Sequence, residues 1–173
     1  MSNHLVFRFL HSLCPIACTF LTVACSLHAA EPAKVRLVAY NIKHGRGMDN
    51  KVDLKRVASV LRKLKPDLVA LQEIDQTCIR SGKVDQAAVL GNLLGMHHRF
   101  GKFMDFQGGQ YGLAVLSRFP IQKSFRHQLA PGAEPRCALE VIVQPTGSGT
   151  LLSFVSIHND WTRESFRIAQ VND

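Results

Sequence analysis

Five sites along this chain place polar side chains at or near the ends of apolar segments. These sites are Asn41, Glu73, Tyr111, Arg136, and His158 together with Asp160. An amide and a carboxylate supply the oxygen ligands that a hard cation such as Mg²⁺ takes. A histidine can transfer a proton or hydrogen-bond a phosphoryl oxygen, and an arginine binds planar or tetrahedral anions. Together, these residue types indicate metal-assisted hydrolysis of a phosphoester.

Glu73 ends the segment that most resembles a buried strand. Residues Leu68–Leu71 are all apolar, which is typical of a strand covered on both faces, and Gln72 and Glu73 interrupt the run. A carboxylate at the mouth of a buried sheet could bind a divalent cation. On this segment alone, the simpler interpretation is that the strand ends in solvent and that Glu73 is merely exposed.

The preceding elements strengthen the interpretation as a metal site. Residues 35–40 are predicted to form a strand, and the apolar residues of 54–64 recur at helical spacing after Asp53, a suitable N-cap. A strand, a helix and a strand joined by short connections form a right-handed crossover with parallel neighbouring strands. We therefore expect Asn41 and Glu73 at the same edge of one sheet, where their oxygens would make half of a Mg²⁺ site.

The chain after this unit is predicted to add a helix, four strands and a final helix. Asp85 and Gly95 are expected to begin and end the helix, and the aromatic, glycine-rich residues 100–109 to form a loop. The later elements are predicted at residues 110–117, 121–129, 136–143 and 151–158 for the strands and 161–169 for the helix. His158 and Asp160 would share one face by strand alternation, whereas a loop position predicts that His44 is exposed.

The first thirty residues have the layout of a secretory signal peptide. They contain no Asp, Glu or Lys, Arg8 precedes an apolar run over residues 13–25, and small residues follow at Ala29 and Ala30. The run is too short and too often interrupted by Cys and Pro to predict a membrane span. We predict a signal peptide over residues 1–30, one domain over residues 31–173, and a secreted or periplasmic location, with lipid anchoring as the minor alternative.

Charge and cysteine content limit the classes of partner and cofactor. The formal net charge of +8 favours polyanions such as nucleic acid, or anionic membranes, although a solvated basic surface explains it as well. Cys78 and Cys137, the two cysteines outside the leader, could pair in an oxidising compartment or remain buried free thiols. No closely spaced Cys/His set predicts a zinc site, and the glycines of residues 45–47 lack the Gly-Lys-Ser/Thr ending of a Walker-type loop.

The order of motifs resembles the endonuclease/exonuclease/phosphatase superfamily, which contains DNase I-like nucleases, sphingomyelinases and inositol-phosphate phosphatases. The matching segments are Tyr40–Ile42, Pro66–Glu73, Tyr111–Pro120, Arg136–Leu139 and His158–Asp160. Leu-Gln-Glu after a buried strand, with Asn-Ile upstream and His-x-Asp downstream, is the distinctive combination. The resemblance implies an α/β (α+β) fold, namely the four-layer α/β/β/α sandwich of the DNase I-like type, here incomplete at its C-terminus.

The resemblance also implies roles for the candidate residues. Glu73 would be the principal ligand of Mg²⁺, with Mn²⁺ as a possible substitute, and Asn41 would support the metal and the phosphate. His158 would contact the scissile phosphate or assist the leaving group. Asp160 would orient the neighbouring groups of the site.

Tyr111 and Arg136 are further candidates for binding the substrate, although packing explains them equally well. The implied substrate is a phosphate ester, either in nucleic acid or in a phospholipid headgroup. No stable protein partner is inferred.

The sequence departs from the family pattern after the His-x-Asp motif. The family usually continues for about another hundred residues and supplies a Gly-Asp-x-Asn strand end and a late Asp-His pair, neither of which occurs here. We therefore expect an N-terminal portion of a secreted, metal-dependent phosphoesterase that is poorly active alone. The alternative is an inactive fragment or a non-catalytic remnant that binds polyanions.

Overall fold

The computed structural model of the protein describes residues 34–147 and 149–173. The predicted signal peptide, residues 1–30, lies outside the described residues, so this leader and the domain boundary at residue 31 stay predictions. Among the described residues, no helix has the length and apolar character needed to cross a membrane. Cys78 and Cys137 are both buried and both free, so the structure has free thiols where the sequence left two alternatives.

The predicted strand–helix–strand unit is present and forms the centre of the first sheet. It consists of β1 (Leu37–Asn41), α1 (Leu54–Leu64) and β2 (Leu68–Gln76). The Asp53 side chain caps α1 by accepting the Arg56 backbone N–H at 3.0 Å. β1 and β2 are parallel, and Asn41 lies opposite Gln72 at the end of the ladder. The prediction of parallel neighbours is therefore confirmed, and the two strands end at one edge of the sheet.

The next three elements complete this sheet and cover one of its faces. They are α2 (Gln86–Leu94), β3 (His97–Phe106) and β4 (Gly109–Ser117). The strand order is β1-β2-β4-β3, and β4 runs antiparallel to both of its neighbours. Asp85 caps α2 by accepting the Ala88 backbone N–H at 3.0 Å, and Gly95 ends it in the left-handed conformation, as predicted.

The prediction of a loop over residues 100–109 is wrong, because residues 97–106 are the strand β3. A two-residue turn joins β3 to β4, and both of its residues, Gln107 and Gly108, have positive φ angles of +47° and +76°. This is the turn geometry that suits the twist of a hairpin. The aromatic residues that suggested loop anchors are instead strand formers that pack on a half-buried sheet.

The second sheet is antiparallel and lies against the first. Its strands, in spatial order, are β5 (Ile121–Gln128), β6 (Cys137–Val143) and β7 (Leu152–Ser156). The final helix, α3 (Glu164–Val171), begins after Arg163. β7 ends at Ser156, so the predicted continuation of this strand to His158 is wrong. The chain leaves the ladder there because side-chain hydrogen bonds of Asp160 fix an irregular segment instead.

The two faces of the first sheet enter two different apolar clusters. Val69 and Leu71 of β2 pack with α1 and α2, whereas Leu68 packs between the sheets with Leu139 and Val141 of β6. A strand covered on both faces needs apolar residues at consecutive positions, which explains the run of residues 68–71. The predicted combination of two packed sheets and helices in a mixed α/β fold is confirmed.

Candidate metal and phosphate site

A β-bulge in β2 presents the Glu73 side chain at the edge of the first sheet. The register of β2 against β4 shifts between Gln72 and Ile74, and Glu73 is the additional residue, with a φ of +57°. A bulge redirects a side chain, and a non-glycine residue with this φ costs on the order of 1–3 kcal/mol. The carboxylate is 28% exposed. Local backbone strain therefore coincides with the residue predicted to bind a metal.

Asn41, the last residue of β1, contacts Glu73 directly. Its Nδ2 donates to Glu73 Oε1 at 2.8 Å, and its Oδ1 accepts the Lys43 backbone N–H at 3.0 Å. The side chains meet because β1 and β2 are parallel neighbours that end at the same edge. The structure thus brings together the two residues predicted as oxygen ligands.

His158 approaches the same carboxylate from the segment that follows β7. Its Nε2 lies 3.8 Å from Glu73 Oε1. Burial lowers the pKa of His158 and the Arg136 charge lowers it further, whereas the Glu73 and Glu134 charges raise it. Because the net direction is downward from an ordinary value near 6.5, the imidazole is mainly neutral at neutral pH. A neutral imidazole can accept or donate a proton beside Glu73.

Phe103 of β3 contacts three of the predicted site residues. Its ring lies edge-on to Tyr111 at 5.6 Å and stacks on His158 at 6.4 Å between ring centroids, and the Arg136 guanidinium lies 5.0 Å from its centroid. Phe103 was missed in the sequence because residues 100–109 were assigned to a loop. The consecutive glycines Gly108 and Gly109 were the signal that could have identified the hairpin and placed Phe103 on a strand.

Arg136 carries a positive charge that is almost completely buried. The residue is 2% exposed, and its Nη2 pairs with Glu134 Oε2 at 3.0 Å. Its Nε and Nη1 are buried and have no hydrogen-bond partner among the described residues. Buried donors without partners are costly, and more so when they are charged. Arg136 therefore maintains a positive potential beside His158 that the described residues only partly neutralise.

Tyr111 lies between the charges of Glu73 and Arg136. Burial raises the pKa of Tyr111 and Glu73 raises it further, whereas the hydrogen bond and charge of Arg136 lower it. The phenol therefore stays protonated at neutral pH and keeps its O–H as a donor. Tyr111, Arg136 and His158 all contact the Phe103 ring, so the structure places these three candidate residues around one side chain.

Asp160 bonds to two loop segments rather than to the other candidate residues. Its Oδ2 accepts the Ala133 backbone N–H at 2.7 Å, and its Oδ1 accepts the Thr162 backbone N–H at 2.7 Å and the Thr162 hydroxyl at 2.5 Å. These bonds, that of the Thr162 side chain foremost, lower the pKa of Asp160 to about 2. The Asp160 backbone N–H donates to Gln170 Oε1 of α3 at 2.7 Å. Asp160 therefore fixes the segment after His158 against the segment that leads to Arg136.

His44 is buried, so the prediction that it is exposed is wrong. The residue is 9% exposed, has a φ of +43°, and follows Lys43 at +47°. Its carbonyl accepts Gln86 Nε2 at 2.8 Å, while Gln86 Oε1 accepts the Asp75 backbone N–H at 3.0 Å. Gln86 therefore fixes the loop after β1, which contains the buried His44, against the end of β2.

The oxygen donors at this edge fit a hydrated Mg²⁺ ion better than a metal enclosed by protein. Mg²⁺ is commonly held by one or two carboxylates together with waters and substrate phosphate. The Glu73 side chain offers one partly exposed carboxylate, and Asn41 donates its Nδ2 to that carboxylate while its amide oxygen accepts the Lys43 backbone N–H. No group of three or more His, Cys, Asp or Glu side chains close enough to hold a metal occurs in the part of the chain that the structure describes. A bound cation would therefore keep positions open for water and phosphate.

Comparison with solved structures shows the same architecture in longer proteins. An endonuclease/exonuclease/phosphatase from Beutenbergia cavernae DSM 12333 is 25% identical with a TM-score of 0.70, over 80% of this chain and 42% of its own. TDP2 from Caenorhabditis elegans is 22% identical with a TM-score of 0.61, over 80% of this chain and 39% of its own. ANGEL2, a 2′,3′-cyclic phosphatase, is 12% identical with a TM-score of 0.60, over 79% of this chain and 44% of its own.

The chain thus spans about two fifths of the length of each of these three proteins. The fold is that of DNase I-like domains, as predicted. The model of the Endonuclease/Exonuclease/phosphatase family matches residues 38–171, which include every candidate site residue. The chain belongs to the endonuclease/exonuclease/phosphatase family.

Proposed function

We propose that this chain provides the metal and phosphate site of a divalent-metal-dependent phosphoesterase. The observation that carries the proposal is the convergence of Asn41 and His158 on one carboxylate, at 2.8 and 3.8 Å from Glu73 Oε1. Three separate elements supply these side chains, and a strained bulge supplies the carboxylate. Packing alone gives no reason to bring an amide, an imidazole and a carboxylate together at a partly exposed sheet edge.

Each residue has a distinct role in the proposed reaction. Glu73 and Asn41 would hold Mg²⁺ or Mn²⁺, which supplies charge neutralisation at the phosphoryl oxygens. His158, neutral at neutral pH, contacts the scissile phosphate or moves a proton for the leaving group. The Tyr111 hydroxyl and the Arg136 charge stabilise the negative charge that increases on the phosphate. Asp160 is a positioning residue that does not contact the phosphate and instead holds the segment that carries His158.

The proposed substrate is a phosphate ester in nucleic acid or in a phospholipid headgroup. Among the similar structures, the protein named as a 2′,3′-cyclic phosphatase acts on a phosphoester. The net charge of +8 favours a polyanionic or membrane-bound substrate over a small neutral ester. We also propose that the protein is exported, on the basis of the composition of residues 1–30. The intact mass of the protein purified from its source would test the removal of that leader.

Hydrolysis and metal binding test this function together. We expect the protein to bind Mn²⁺ by calorimetry and, because it is expected to be poorly active alone, to hydrolyse bis-p-nitrophenyl phosphate only slowly with Mg²⁺. Both properties should be lost in Glu73→Gln. Plasmid DNA and sphingomyelin, assayed in parallel, distinguish the two substrate classes. The matched control is Glu140→Gln, which removes a carboxylate that also pairs with a histidine but lies on the second sheet. Equal losses in the two variants, or none in Glu73→Gln, would contradict the proposed function.

The basic charge supports a second candidate function, the binding of polyanions without catalysis. Binding through charge alone weakens steeply as salt is raised and is insensitive to EDTA. Binding at a metal site is abolished by EDTA and by Glu73→Gln. Titration of a short DNA duplex at two salt concentrations, with and without EDTA, therefore separates the two functions.

A further inference from the structure

Arg80, in the segment between β2 and α2, forms a two-point ion pair with a buried carboxylate. Its Nε lies 2.8 Å from Asp75 Oδ2, and its Nη2 lies 2.7 Å from Asp75 Oδ1. Asp75 is 0% exposed, whereas the Arg80 side chain is 27% exposed. Two parallel hydrogen bonds fix the plane and the direction of a guanidinium group. Arg80 therefore presents one edge to Asp75 and the opposite edge away from it.

Two aromatic rings restrict the same guanidinium further. Its central carbon lies 4.5 Å from the centroid of Phe106 and 5.2 Å from that of Tyr111. Stacking on an aromatic face covers the plane of a guanidinium and leaves its N–H groups free at the edge. An arginine has five N–H donors, and Asp75 accepts two of them. The other three have no acceptor among the residues that the structure describes, and they belong to a side chain that is 27% exposed.

The position of Arg80 connects it to the Glu73 site. Tyr111, on which Arg80 stacks, also contacts Phe103, and Phe103 stacks on His158. Asp75 follows Glu73 by two residues along β2. The carboxylate that pairs with Arg80 and the candidate metal ligand therefore lie at the same end of one strand. The Arg80 charge lowers the pKa of His44, and the Glu73 charge raises it, after the larger effect of burial. The charges of Arg80 and Glu73 thus both act on the His44 side chain.

The ion pair with Asp75 uses two of the five N–H donors of Arg80 and leaves three for another acceptor. Burial of Asp75 requires one cation, and two N–H groups satisfy that need. The remaining edge has the flat, preorganised geometry that recognises phosphate oxygens. Asp75 neutralises the overall charge, so this edge would recognise an anion through directed hydrogen bonds rather than through long-range attraction.

We propose that Arg80 is a specificity-determining residue that binds a second phosphate of the substrate, next to the phosphate at Glu73 and His158. This inference rests on the proposed function. Its ligand is a compound with two phosphate groups, and either a nucleotide chain or a phosphorylated headgroup could supply it. Arg136 and Tyr111 serve the first phosphate in this arrangement, and Arg80 the second.

The test compares ligands with one and two phosphates by calorimetry in the presence of Mg²⁺. The ligands are inorganic phosphate, thymidine 3′,5′-bisphosphate and inositol 1,4-bisphosphate, the last two representing the nucleotide and headgroup sources. We expect the unchanged protein to bind one bisphosphate about tenfold more tightly than inorganic phosphate, which corresponds to roughly 1.4 kcal/mol. Thymidine bisphosphate as the tighter ligand indicates a nucleotide source, and inositol bisphosphate a headgroup source.

The variants remove the planar guanidinium of Arg80 without leaving Asp75 as a buried, unpaired charge. Asp75→Asn with Arg80→Gln replaces the ion pair by a neutral amide pair, and Arg80→Lys keeps the charge but loses the planar edge. In both variants we expect the preference for the bisphosphate to fall to within about twofold while the affinity for inorganic phosphate is unchanged. The matched control is Arg118→Lys, because Arg118 pairs with Asp67 at 2.7 Å and stacks on Phe119 at the other end of β4.

The outcomes separate this inference from the proposed function. An unchanged preference in the double variant would overturn the role of Arg80, as would the absence of any preference in the unchanged protein. If inorganic phosphate binds and Glu73→Gln abolishes that binding, the proposed function survives either result. Absence of phosphate binding in the unchanged protein would overturn both.

Discussion

This protein has two histidine–glutamate pairs, one within the second sheet and one where Glu73 of the first sheet meets His158 of the segment after β7, and the two pairs differ in distance, backbone geometry and surroundings. On the second sheet, His127 Nε2 lies 2.8 Å from Glu140 Oε2, and Ser153 donates to Glu140 Oε1 at 2.6 Å. At the edge of the first sheet, His158 and Glu73 are 3.8 Å apart. In the shorter pair both residues lie on regular strands, and both carboxylate oxygens of Glu140 have hydrogen-bond partners. The longer pair has a strained bulge and the partly unpaired Arg136 beside it.

This difference shows that a short distance between complementary groups does not identify a functional site. The His127 side chain is 53% exposed, and an exposed ion pair contributes little to stability because water screens it. The pair at Glu73 departs from what packing would favour, through the positive φ of Glu73 and the buried Arg136 donors that have no partner in the described part of the chain. Such departures persist where they serve a ligand. Unmet hydrogen-bonding capacity distinguishes the candidate site from a surface contact.

The largest difference between the pairs should appear in metal affinity. We expect Glu73→Gln to weaken Mn²⁺ binding by at least about 100-fold, because loss of an outer-shell partner alone typically costs 10–100-fold. Glu140→Gln should leave the affinity unchanged. Isothermal titration of both variants measures this contrast. A similar loss in the two variants would mean that the two carboxylates are equivalent and would remove the basis of the comparison.

The histidines should differ next, in catalysis. We expect His158→Gln to lower the slow Mg²⁺-dependent hydrolysis of bis-p-nitrophenyl phosphate by about 100-fold, the lower end of the range for loss of a general acid or base. His127→Gln should keep the rate within about twofold, since a change away from the reacting groups alters no transition-state contact. Circular dichroism of both variants controls for folding. Comparable rates for His158→Gln and the unchanged protein would show that this histidine takes no part in the reaction.

The sequence predicted the framework of the site because periodicity and caps are local. Asp53 and Asp85 were identified as helix caps, and the short strand–helix–strand connection was sufficient to place Asn41 beside Glu73. The apolar run before Glu73 correctly indicated a strand covered on both faces. These inferences need only residue type, spacing and chain handedness.

The sequence could not predict contacts that depend on the packing of distant segments. The loop that contains the buried His44 is fixed by Gln86, which lies 42 residues further along the chain. The role of Phe103 depended on recognising a hairpin whose turn, Gln107-Gly108, lacks the usual Asn-Gly or Asp-Gly signal. The strand predicted to reach His158 ends at Ser156, and the bonds of Asp160 to Ala133 and Thr162 fix an irregular segment there instead. Bonds to residues distant in the sequence, Gln86 and Ala133, therefore decided the positions of His44 and of the segment after His158.

Stability should respond to the buried amide that joins the two strand ends of the site. Gln86→Leu removes the partners of the His44 carbonyl and the Asp75 backbone N–H. We expect a loss of about 2 kcal/mol in the free energy of unfolding, since each buried, unsatisfied group costs roughly 1–3 kcal/mol and relaxation recovers part of it. Urea denaturation measures the loss. Gln122→Leu is the control and should change the free energy by less than about 0.5 kcal/mol, because within the described residues the Gln122 amide bonds only to exposed Gln144.

The pH dependence of stability should also originate on the site side of the molecule. Burial is the largest factor that lowers the pKa of both His44 and His158. Below an ordinary value near 6.5, the unfolded chain therefore binds protons at these residues that the folded protein does not. The free energy of unfolding consequently falls as the pH is lowered through the range just below 6.5, and rises again as the pH returns to neutral.

Urea denaturation at several pH values between 5 and 7.5 measures this dependence. The slope of the free energy of unfolding against pH should become shallower in His44→Phe, because that variant removes one of the two histidines whose protonation the fold disfavours. His127→Phe, on the other sheet, supplies the matched comparison for the loss of an imidazole. An equal slope in His44→Phe and the unchanged protein would show that burial of this histidine does not couple folding to protons.

The smallest expected effect concerns the pair with the shorter distance. His127→Phe removes the 2.8 Å contact to Glu140 but leaves the Ser153 hydroxyl on the other carboxylate oxygen. The phenyl ring can keep the tilted contact that the His127 ring makes with Phe125 at 6.3 Å. We therefore expect no measurable change in the midpoint of urea denaturation, as is common for exposed ion pairs. A clear destabilisation would mean that Glu140 depends on His127, and that the second sheet carries a coupled polar network rather than a surface contact.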